Sequence, residues 1–525
     1  MTAPSDPAPK PAWGSAQPAF YTDRLSATPG EAVAIHASVL ASPCRLDIVR
    51  VGLEREVVLT LERMIVGDHP TPDNADQRGC GWPVATTFQV GADWRSGYYD
   101  LVLTDAEGAT AHHLLCVRAA ADAPGARIVL VLTTNTIQAY NYWGGANAYC
   151  DVDALMSGRA ELAAAMEGAI GVLSTQRPFA PMLLAPPPEL PRLVNLTPRG
   201  FERRPWAGAD PAWSKANRQT PYDGSTGFLH KWEHAFVRWA EGEGIGLDYL
   251  TDHDLDADPA ALDTYPCVVL AGHSEYWSGP QRATLDRFVE RGGGLAILSG
   301  NTAFWKVRWE DGGATMICRK WRGFEDEEAG PDATHLWSHP VFDQPEARTT
   351  GLSFLYGGYH RLGMCAARGQ GGYTVYRSAH WALAGCDLYY GDVIGADVPL
   401  VGYENDGCRF DFGEDGLPRA IAHLGVPENL EIIALVPAAF AEAPSPYRPL
   451  IPPEQLPVVA KITYGSDSAE AQARMLRGHA VMASFRRGAG EVFNAGTTEW
   501  AHGLAANDPF VTRITRNVLE RFTGR

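Results

Sequence analysis

Apolar residues along this chain follow two rhythms. Between about residues 20 and 118 they come as short β-rich runs: AVAIHASVL, RLDIVRVGL, ATTFQV, GYYDLVLTD and AHHLLCVRA. Turn residues such as Thr28-Pro29-Gly30 and the stretch from Asp105 to Gly108 separate them. That number and spacing predict a small β-sandwich over residues 20–121. Trp94, Tyr98 and Tyr99 stand at a strand entry, where aromatics serve a core. No acid, base and nucleophile gather in this part, so docking or oligomerisation is its expected role. Asp122 to Gly125 reads as a linker.

From residue 126 the rhythm changes to apolar runs alternating with helical spacing. ARIVLVLTT, LDYLTDHDL, CVVLA and LAILSG suit strands buried on both faces of a parallel sheet. Between the last two, Leu285, Phe288 and Val289 recur at helical spacing, and Gly292 to Gly294 stop the helix. Such a βαβ unit is right-handed, and its ligands bind beyond the carboxyl ends of the strands. Those ends carry His273, Glu275, Tyr276 and Trp277 on one strand and Asn301, Phe304 and Trp305 on the next. FNAGTTEW adds a third loaded end with Asn494, Thr497, Thr498, Glu499 and Trp500. NTIQAYNYWGGANAY reads as one loop, with Gln138, Asn141, Tyr142 and Trp143 as pocket wall, because buried amides must find partners.

Other stretches read less sharply. Residues 150–225 are a long Pro-, Gly- and Arg-rich excursion, of a length expected of a lid or subunit contact. FLHKWEHAFVRWAEGEG predicts a helix that buries Phe228, Trp232, Phe236 and Trp239. Residues 310–440 break into short strands and turns. Glu404 follows the apolar run PLVGY, which places it at a strand end, where a carboxylate needs a cation, a metal or a proton. The βα alternation resumes with VVAKITYG and HAVMASFRRGAGEVFNAG and ends in a helix, DPFVTRITRNVLERFTG.

Composition narrows the class. A chain of 525 residues splits into two or three domains, and 45% hydrophobic with 20% charged residues is the balance of a soluble globular protein. A net charge of -18 argues against nucleic acid and anionic membrane as partners. No apolar run approaches the roughly 18 residues of a membrane helix. Residues 1–19 lack an apolar core segment and read as a disordered tail rather than a signal peptide. Nine scattered cysteines without a CxxC pair fit reduced thiols in a cytoplasm.

The familiar catalytic signatures are missing from the sequence: GxGxxG opening a helix, GxxxxGK[ST], GxSxG, and HExxH. What remains is tyrosine, glutamate and histidine at strand ends. Tyrosinate and carboxylate are hard oxygen ligands, suited to a trivalent or hard divalent metal rather than to zinc. Such a metal polarises a carbonyl or deprotonates water, with a carboxylate or histidine as base.

Seven motifs, NTIQAYNYWGG, GHSEYWS, SGNTAFWKVR, YGGYH, HWALAG, VGYENDG and FNAGTTEWAHGL, together resemble the large (β) subunit family of N,N-dimethylformamidase, in order from about residue 20 to 525. The resemblance implies a multi-domain α/β protein. An immunoglobulin-like β-sandwich over residues 20–121 would precede a doubly wound, glutamine-amidotransferase-like parallel-sheet domain over 126–525, with a β-rich insertion at 310–440. It implies hydrolysis of the C–N bond of a small amide at one mononuclear non-haem iron held by two tyrosines and a glutamate. By motif, Tyr276 is the first tyrosine and Glu404 the glutamate. The second tyrosine falls in the GNTAFW turn, where this chain has Phe304. Tyr356, Tyr359, His360 or His380 would substitute, and the alternative is a metal-free binding relative. His273, His380 and Glu499 are the candidate acid–base groups. Gln138, Asn141, Tyr142, Trp143, Asn301, Phe304 and Trp305 would shape the pocket. A homo-oligomer and a small partner subunit are also implied.

Overall fold

In the computed structural model the two rhythms become two kinds of sheet. The structure describes residues 17–120, 125–185 apart from 161 and 182, 227–324 apart from 228, 230 and 231, 330–359, 371–441 apart from 396, 397 and 399, and 454–524. Most of the expected tail, most of the excursion over 150–225, and His360 lie outside the described residues.

In the N-terminal part, Ala19–Thr22, Ala32–Ser38 and Val84–Gln89 form one sheet. Ser26–Ala27, Thr110–Val117, Gly97–Thr104, Cys44–Val51 and Arg55–Met64 form a second, in that spatial order. Alternate residues of both sheets, Val33 and Ile35 against Ile48, Leu101 and Leu103, share one apolar core. Arg55–Met64 is a strand that the apolar pattern does not mark. It is an edge strand with every residue at least partly exposed, so no buried stripe shapes its sequence.

The second part is organised by a nine-stranded sheet and a separate strand pair. β1 (Ile128–Leu132), β2 (Leu247–Thr251), β3 (Cys267–Gly272), β4 (Gly294–Ser299), β5 (Ser353–Gly358), β6 (Tyr373–Val375), β7 (Val393–Ile394), β8 (Asn405–Gly407), β9 (Glu431–Ala439), β10 (Arg477–Arg487) and β11 (Gly490–Asn494) follow in the chain. Of these, the large sheet runs β2-β1-β3-β4-β11-β10-β9-β6-β7, and β5 pairs separately with β8. The first five strands are parallel and the rest antiparallel. Five parallel strands explain the unbroken apolar runs. In β1, Val129 and Val131 face one core while Ile128, Leu130 and Leu132 face the other, so both sides are covered.

Five helices matter to the site. They are α1 (Thr134–Tyr140), α2 (Glu233–Gly242), α3 (Gly279–Glu290), α4 (Trp500–Ala505) and α5 (Pro509–Thr523). α3 begins at Ser278, whose hydroxyl accepts from the Gln281 backbone N–H in a capping box, and Pro280 sits in its first turn. The sandwich is fastened to this body. Arg50 pairs with Glu241 at 2.6 Å, the Ser96 hydroxyl accepts from the Tyr249 backbone N–H, and Trp82 meets Trp143 edge-on.

Three expectations change. Residues 134–140 are helical, not loop. VVAKITYG lies in a helix, Leu456–Tyr464, with Pro457 in its first turn and Gly465 at φ +71° closing it. Its continuous apolar run fits a buried helix as well as a strand, and the period alone does not choose. Glu404 stands immediately before the short strand β8 instead of ending one.

Candidate active site

The carboxyl ends of β1, β3, β4 and β11 open on the same edge of the sheet, and the chain leaving each strand is tied to its neighbours. From β1, α1 is clamped onto the segment after β3. The Asn135 side-chain amide donates to the Tyr276 carbonyl at 3.0 Å, and the Glu275 backbone N–H donates to Thr136 Oγ1 at 3.1 Å. After α1, Gly144 and Gly145, at φ +97° and +127°, turn the chain back. Asn147 then fixes the returning segment. Its Oδ1 accepts from the backbone N–H of Tyr149 and Cys150, and its Nδ2 donates to the Tyr140 carbonyl. One asparagine therefore holds Tyr140 and Tyr149 in register, with ring centroids 4.6 Å apart.

Both tyrosines reach Glu275. Tyr149 Oη donates to Glu275 Oε2 at 2.8 Å, Tyr140 Oη approaches the same oxygen at 3.5 Å, and His273 Nε2 lies 3.2 Å from it. On its other side, His273 Nε2 lies 3.1 Å from Glu404 Oε2, and Nδ1 sits 3.1 Å from the Gly300 carbonyl. The carbonyl accepts, so Nδ1 carries a proton. Tyr276 stands one step further out, donating to Tyr149 Oη at 2.6 Å. Tyr140, His273, Glu275, Tyr276 and Glu404 are buried, and Tyr149 is half-buried.

Gly300 lets the walls meet. A Cβ there would lie 2.3 Å from the Glu404 carbonyl oxygen and 2.6 Å from the Thr498 nitrogen, so only glycine fits between them. The turn that follows takes Asn301 and Ala303 into the left-handed region, at φ +51° and +56°. The Asn301 side chain hydrogen-bonds Glu404, while its Oδ1 has no protein partner. Trp232 and Tyr403 close the cluster with rings 5.9 and 5.8 Å from the His273 ring.

The electrostatics follow from burial and proximity. Burial acts most strongly on His273 and opposes its charge, yet Glu404 and Glu275 together raise its pKa to about 9. Burial raises Glu404 to about 8 against the pull of His273, and the negative charge of Glu275 adds to the rise. Glu275 is held below the usual carboxylate range despite burial, by hydrogen bonds and charge from His273 and by Lys320. Burial lifts the Tyr140, Tyr149 and Tyr276 phenols well above their ordinary value. Lys320 places its ammonium 3.1 Å from the centre of the Tyr149 ring and 5.2 Å from that of Tyr276. Burial lowers its pKa to about 8, opposed by Cys318, Glu275 and Glu404. Neither Tyr140, Tyr149 nor Lys320 stands among the residues singled out from sequence. The two tyrosines lie nine residues apart within NTIQAYNYWGGANAY, and their spacing around a Gly-Gly turn was the available signal.

The remaining candidates divide. Glu499 is wholly buried. His502 Nδ1 lies 2.7 Å from its Oε2 and Trp232 Nε1 lies 3.5 Å from the same oxygen, so it reaches the cluster through Trp232. Glu499→Gln is expected to lower kcat by less than about tenfold, whereas loss of a general base costs roughly a hundredfold to ten-thousandfold. Steady-state kinetics on the purified variant decide. His380 is bound to Ser484 at 2.9 Å and stands 3.5 Å from Glu431, on the antiparallel half of the sheet; the structure does not bring it to the cluster. Asn141 spends its amide on Pro178, Ala180 and Trp143 backbone groups, Tyr142 donates to the Pro181 carbonyl, and Trp143 packs on Trp82. These three build structure around the site. Gln138 is buried with neither amide atom bonded to protein. Phe304 stacks edge-on against Trp305 and Phe354. Tyr356 is bonded to His423 on the antiparallel half of the sheet, and Tyr359 bridges to Ala439 through its backbone while its ring meets Phe354 edge-on.

Among the described residues no three His, Cys, Asp or Glu side chains are gathered as a metal site. Tyr140 Oη, Tyr149 Oη and Glu275 Oε2 are three hard oxygens that converge in the cluster. Buried Glu404 Oε2 meets His273 Nε2 at 3.1 Å, and Gln138 and Asn301 add unpaired polar atoms near the strand ends. The residues present fit a hard cation.

The chain matches the family model described as N,N-dimethylformamidase beta subunit-like, C-terminal, over residues 46–512. The chain belongs to that family. The match begins inside the sandwich and runs to α5, so the family description covers both parts of the fold and the whole cluster. Among curated proteins none matches the chain. Among the described residues no helix is long and apolar enough to cross a membrane, and eight buried cysteines are free thiols.

Proposed function

We propose that this dimethylformamidase-like chain hydrolyses the C–N bond of a small linear amide at the cluster centred on Glu275, with a mononuclear non-haem iron as its metal. The observation that carries the reading is the convergence of Tyr149 Oη, Tyr140 Oη and His273 Nε2 on the single oxygen Glu275 Oε2, at 2.8, 3.5 and 3.2 Å. Two tyrosines and a glutamate are the ligand types the family resemblance implies. In this reading the ligands are Tyr140, Tyr149 and Glu275, with Tyr276 supporting Tyr149 and Glu404 supporting His273, and the contacts of both phenols with Glu275 Oε2 support it. The packing of Phe304 among aromatic residues takes weight from the metal-free alternative, since no ligand is then missing at that position.

Bound there, iron supplies Lewis acidity that polarises a carbonyl or acidifies water. The chain does the rest. Glu275 and the two phenols orient the oxygens. Lys320 over the Tyr149 ring stabilises negative charge on that phenol. His273, fixed through Nδ1 to the Gly300 carbonyl, holds a proton at Nε2 between Glu275 and Glu404, and is placed to pass it to a departing amine. Asn301 offers its unpaired Oδ1 to a substrate donor. Trp232 and Tyr403 exclude water and limit the pocket to small substrates. A small partner subunit, self-association and a cytoplasmic location complete the reading. The family description of a β subunit supports the first and the free thiols support the last.

The test is release of amine and carboxylate from N,N-dimethylformamide, formamide and N-methylacetamide by iron-loaded protein. Equimolar dimethylamine and formate from the first is the expected result. Absence of amine release from all three would overturn the reading.

A further inference from the structure

We propose that a second cavity, on the antiparallel side of the sheet, is a binding site for a planar aromatic anion. It measures about 560 Å³, within the range of small-molecule sites, and lies between β5, β9, β10 and the hairpin Phe410–Phe412/Pro418–Ala420. The proposal is independent of the amide-hydrolase reading, because none of the catalytic cluster lines this cavity.

Three features point to that ligand class. The walls are aromatic: Tyr356, Tyr376, Phe410, Phe412 and Tyr464 all line the space. Phe410 and Phe412 meet edge-to-face at 5.7 Å, and Phe412, at the mouth, is 53% exposed. A large ring left in water beside a cavity is surface that a stacked ligand would cover. The charge is the second feature. Arg409, Arg477 and His479 face the cavity against one carboxylate, Asp411, in a chain whose net charge is -18. Arg409 is half-buried, and among the described residues no carboxylate pairs with it. Its guanidinium instead lies 5.9 Å from the Tyr464 ring centre. A guanidinium so placed presents its fork to a carboxylate or phosphate while an aromatic ring lies beside it.

The third feature is a floor built by close strand approach. A Cβ on Gly478 would lie 2.2 Å from the Tyr356 carbonyl oxygen, and one on Gly407 would lie 2.2 Å from that of His479, so glycine is required at both positions. Tyr356 is further held by its 2.5 Å hydrogen bond with His423 Nδ1. The cavity is therefore preformed, which reduces the ordering cost of binding. It also lies close to the chemistry along the chain. β8 leads from Glu404 in the catalytic cluster to Arg409 in the cavity.

Isothermal titration of the full chain with 1-naphthoate tests the site. One equivalent is expected to bind with Kd below about 1 mM, and Arg409→Gln is expected to weaken it at least about tenfold, the scale of one charge-assisted hydrogen-bond pair. The neutral isostere 1-naphthamide should bind at least about tenfold more weakly, for the same reason. Asp411→Asn, at an exposed position, should tighten naphthoate severalfold and gives a reading should Arg409→Gln fail to fold. 1-Naphthyl phosphate run in parallel distinguishes the anion: whichever of the two binds tighter names the headgroup. Failure of both anions to bind, equal affinity for the acid and the amide, or unchanged affinity in Arg409→Gln would overturn the proposal.

Discussion

Glu275→Gln is expected to reduce amide turnover by at least about a thousandfold, and to remove bound iron, while the protein remains folded. One carboxylate oxygen here accepts from Tyr149 and Tyr140 and neighbours His273, so the substitution acts on three contacts at once. Glutamine keeps the volume but not the charge. It would bring a neutral carbonyl and an amide donor to a position where phenols and imidazole already point their protons. Loss of a preorganised charge-bearing group in a dry site costs about a hundredfold to a thousandfold alone, and loss of the metal adds to it. Turnover assays with metal analysis of the same preparation check the expectation. Turnover within tenfold of wild type would show that the chemistry does not run at this oxygen.

Tyr149→Phe is the second large effect, and comparing it with Tyr276→Phe separates two assignments of the ligand. Removing the Tyr149 hydroxyl deletes both its 2.8 Å bond to Glu275 and the acceptor that Tyr276 uses at 2.6 Å. Stability should fall by about 1–3 kcal/mol, the cost of leaving a buried hydroxyl unpaired, and turnover by at least about a hundredfold. Tyr276→Phe removes only the outer donor, leaves Tyr149 bonded to Glu275, and is expected to cost about tenfold or less in turnover, as loss of one outer support does. Denaturant unfolding and kinetics on both variants make the comparison. Equal losses of iron and activity would restore Tyr276 to the ligand set that the EYW motif points to.

Much of this arrangement is legible in the chain. Unbroken apolar runs such as CVVLA and LAILSG mark strands buried on both faces. Capping and turn residues around them, Ser278, Pro280 and Gly300, mark where the chain leaves the sheet. That is enough to place His273, Glu275, Asn301 and Glu499 at one edge. What periodicity does not carry is which side chains turn toward each other after the strands end. Asn141 and Asn147 are the same residue type six positions apart. One braces the Pro178 loop, the other holds Tyr149 over Glu275, and the difference lies in long-range contacts. His380 looks as reactive as His273 in sequence, yet it folds against Ser484 because its segment caps a short helix on the far half of the sheet. Glu404 lies about 130 residues from His273 in sequence, and the turn at Gly300 brings their backbones within reach. VVAKITYG fits either period and resolves to helix only through its Pro457 and Gly465 ends.

The central claim is that two phenols and a carboxylate at Tyr140, Tyr149 and Glu275 hold iron. Metal analysis of the purified wild-type chain, read together with its visible absorption spectrum, tests it most directly. Near-stoichiometric iron with a tyrosinate charge-transfer band that is lost in Tyr149→Phe is the predicted result. Protein that takes up no iron from a ferric or ferrous solution, or an iron band untouched by Tyr149→Phe, would contradict it.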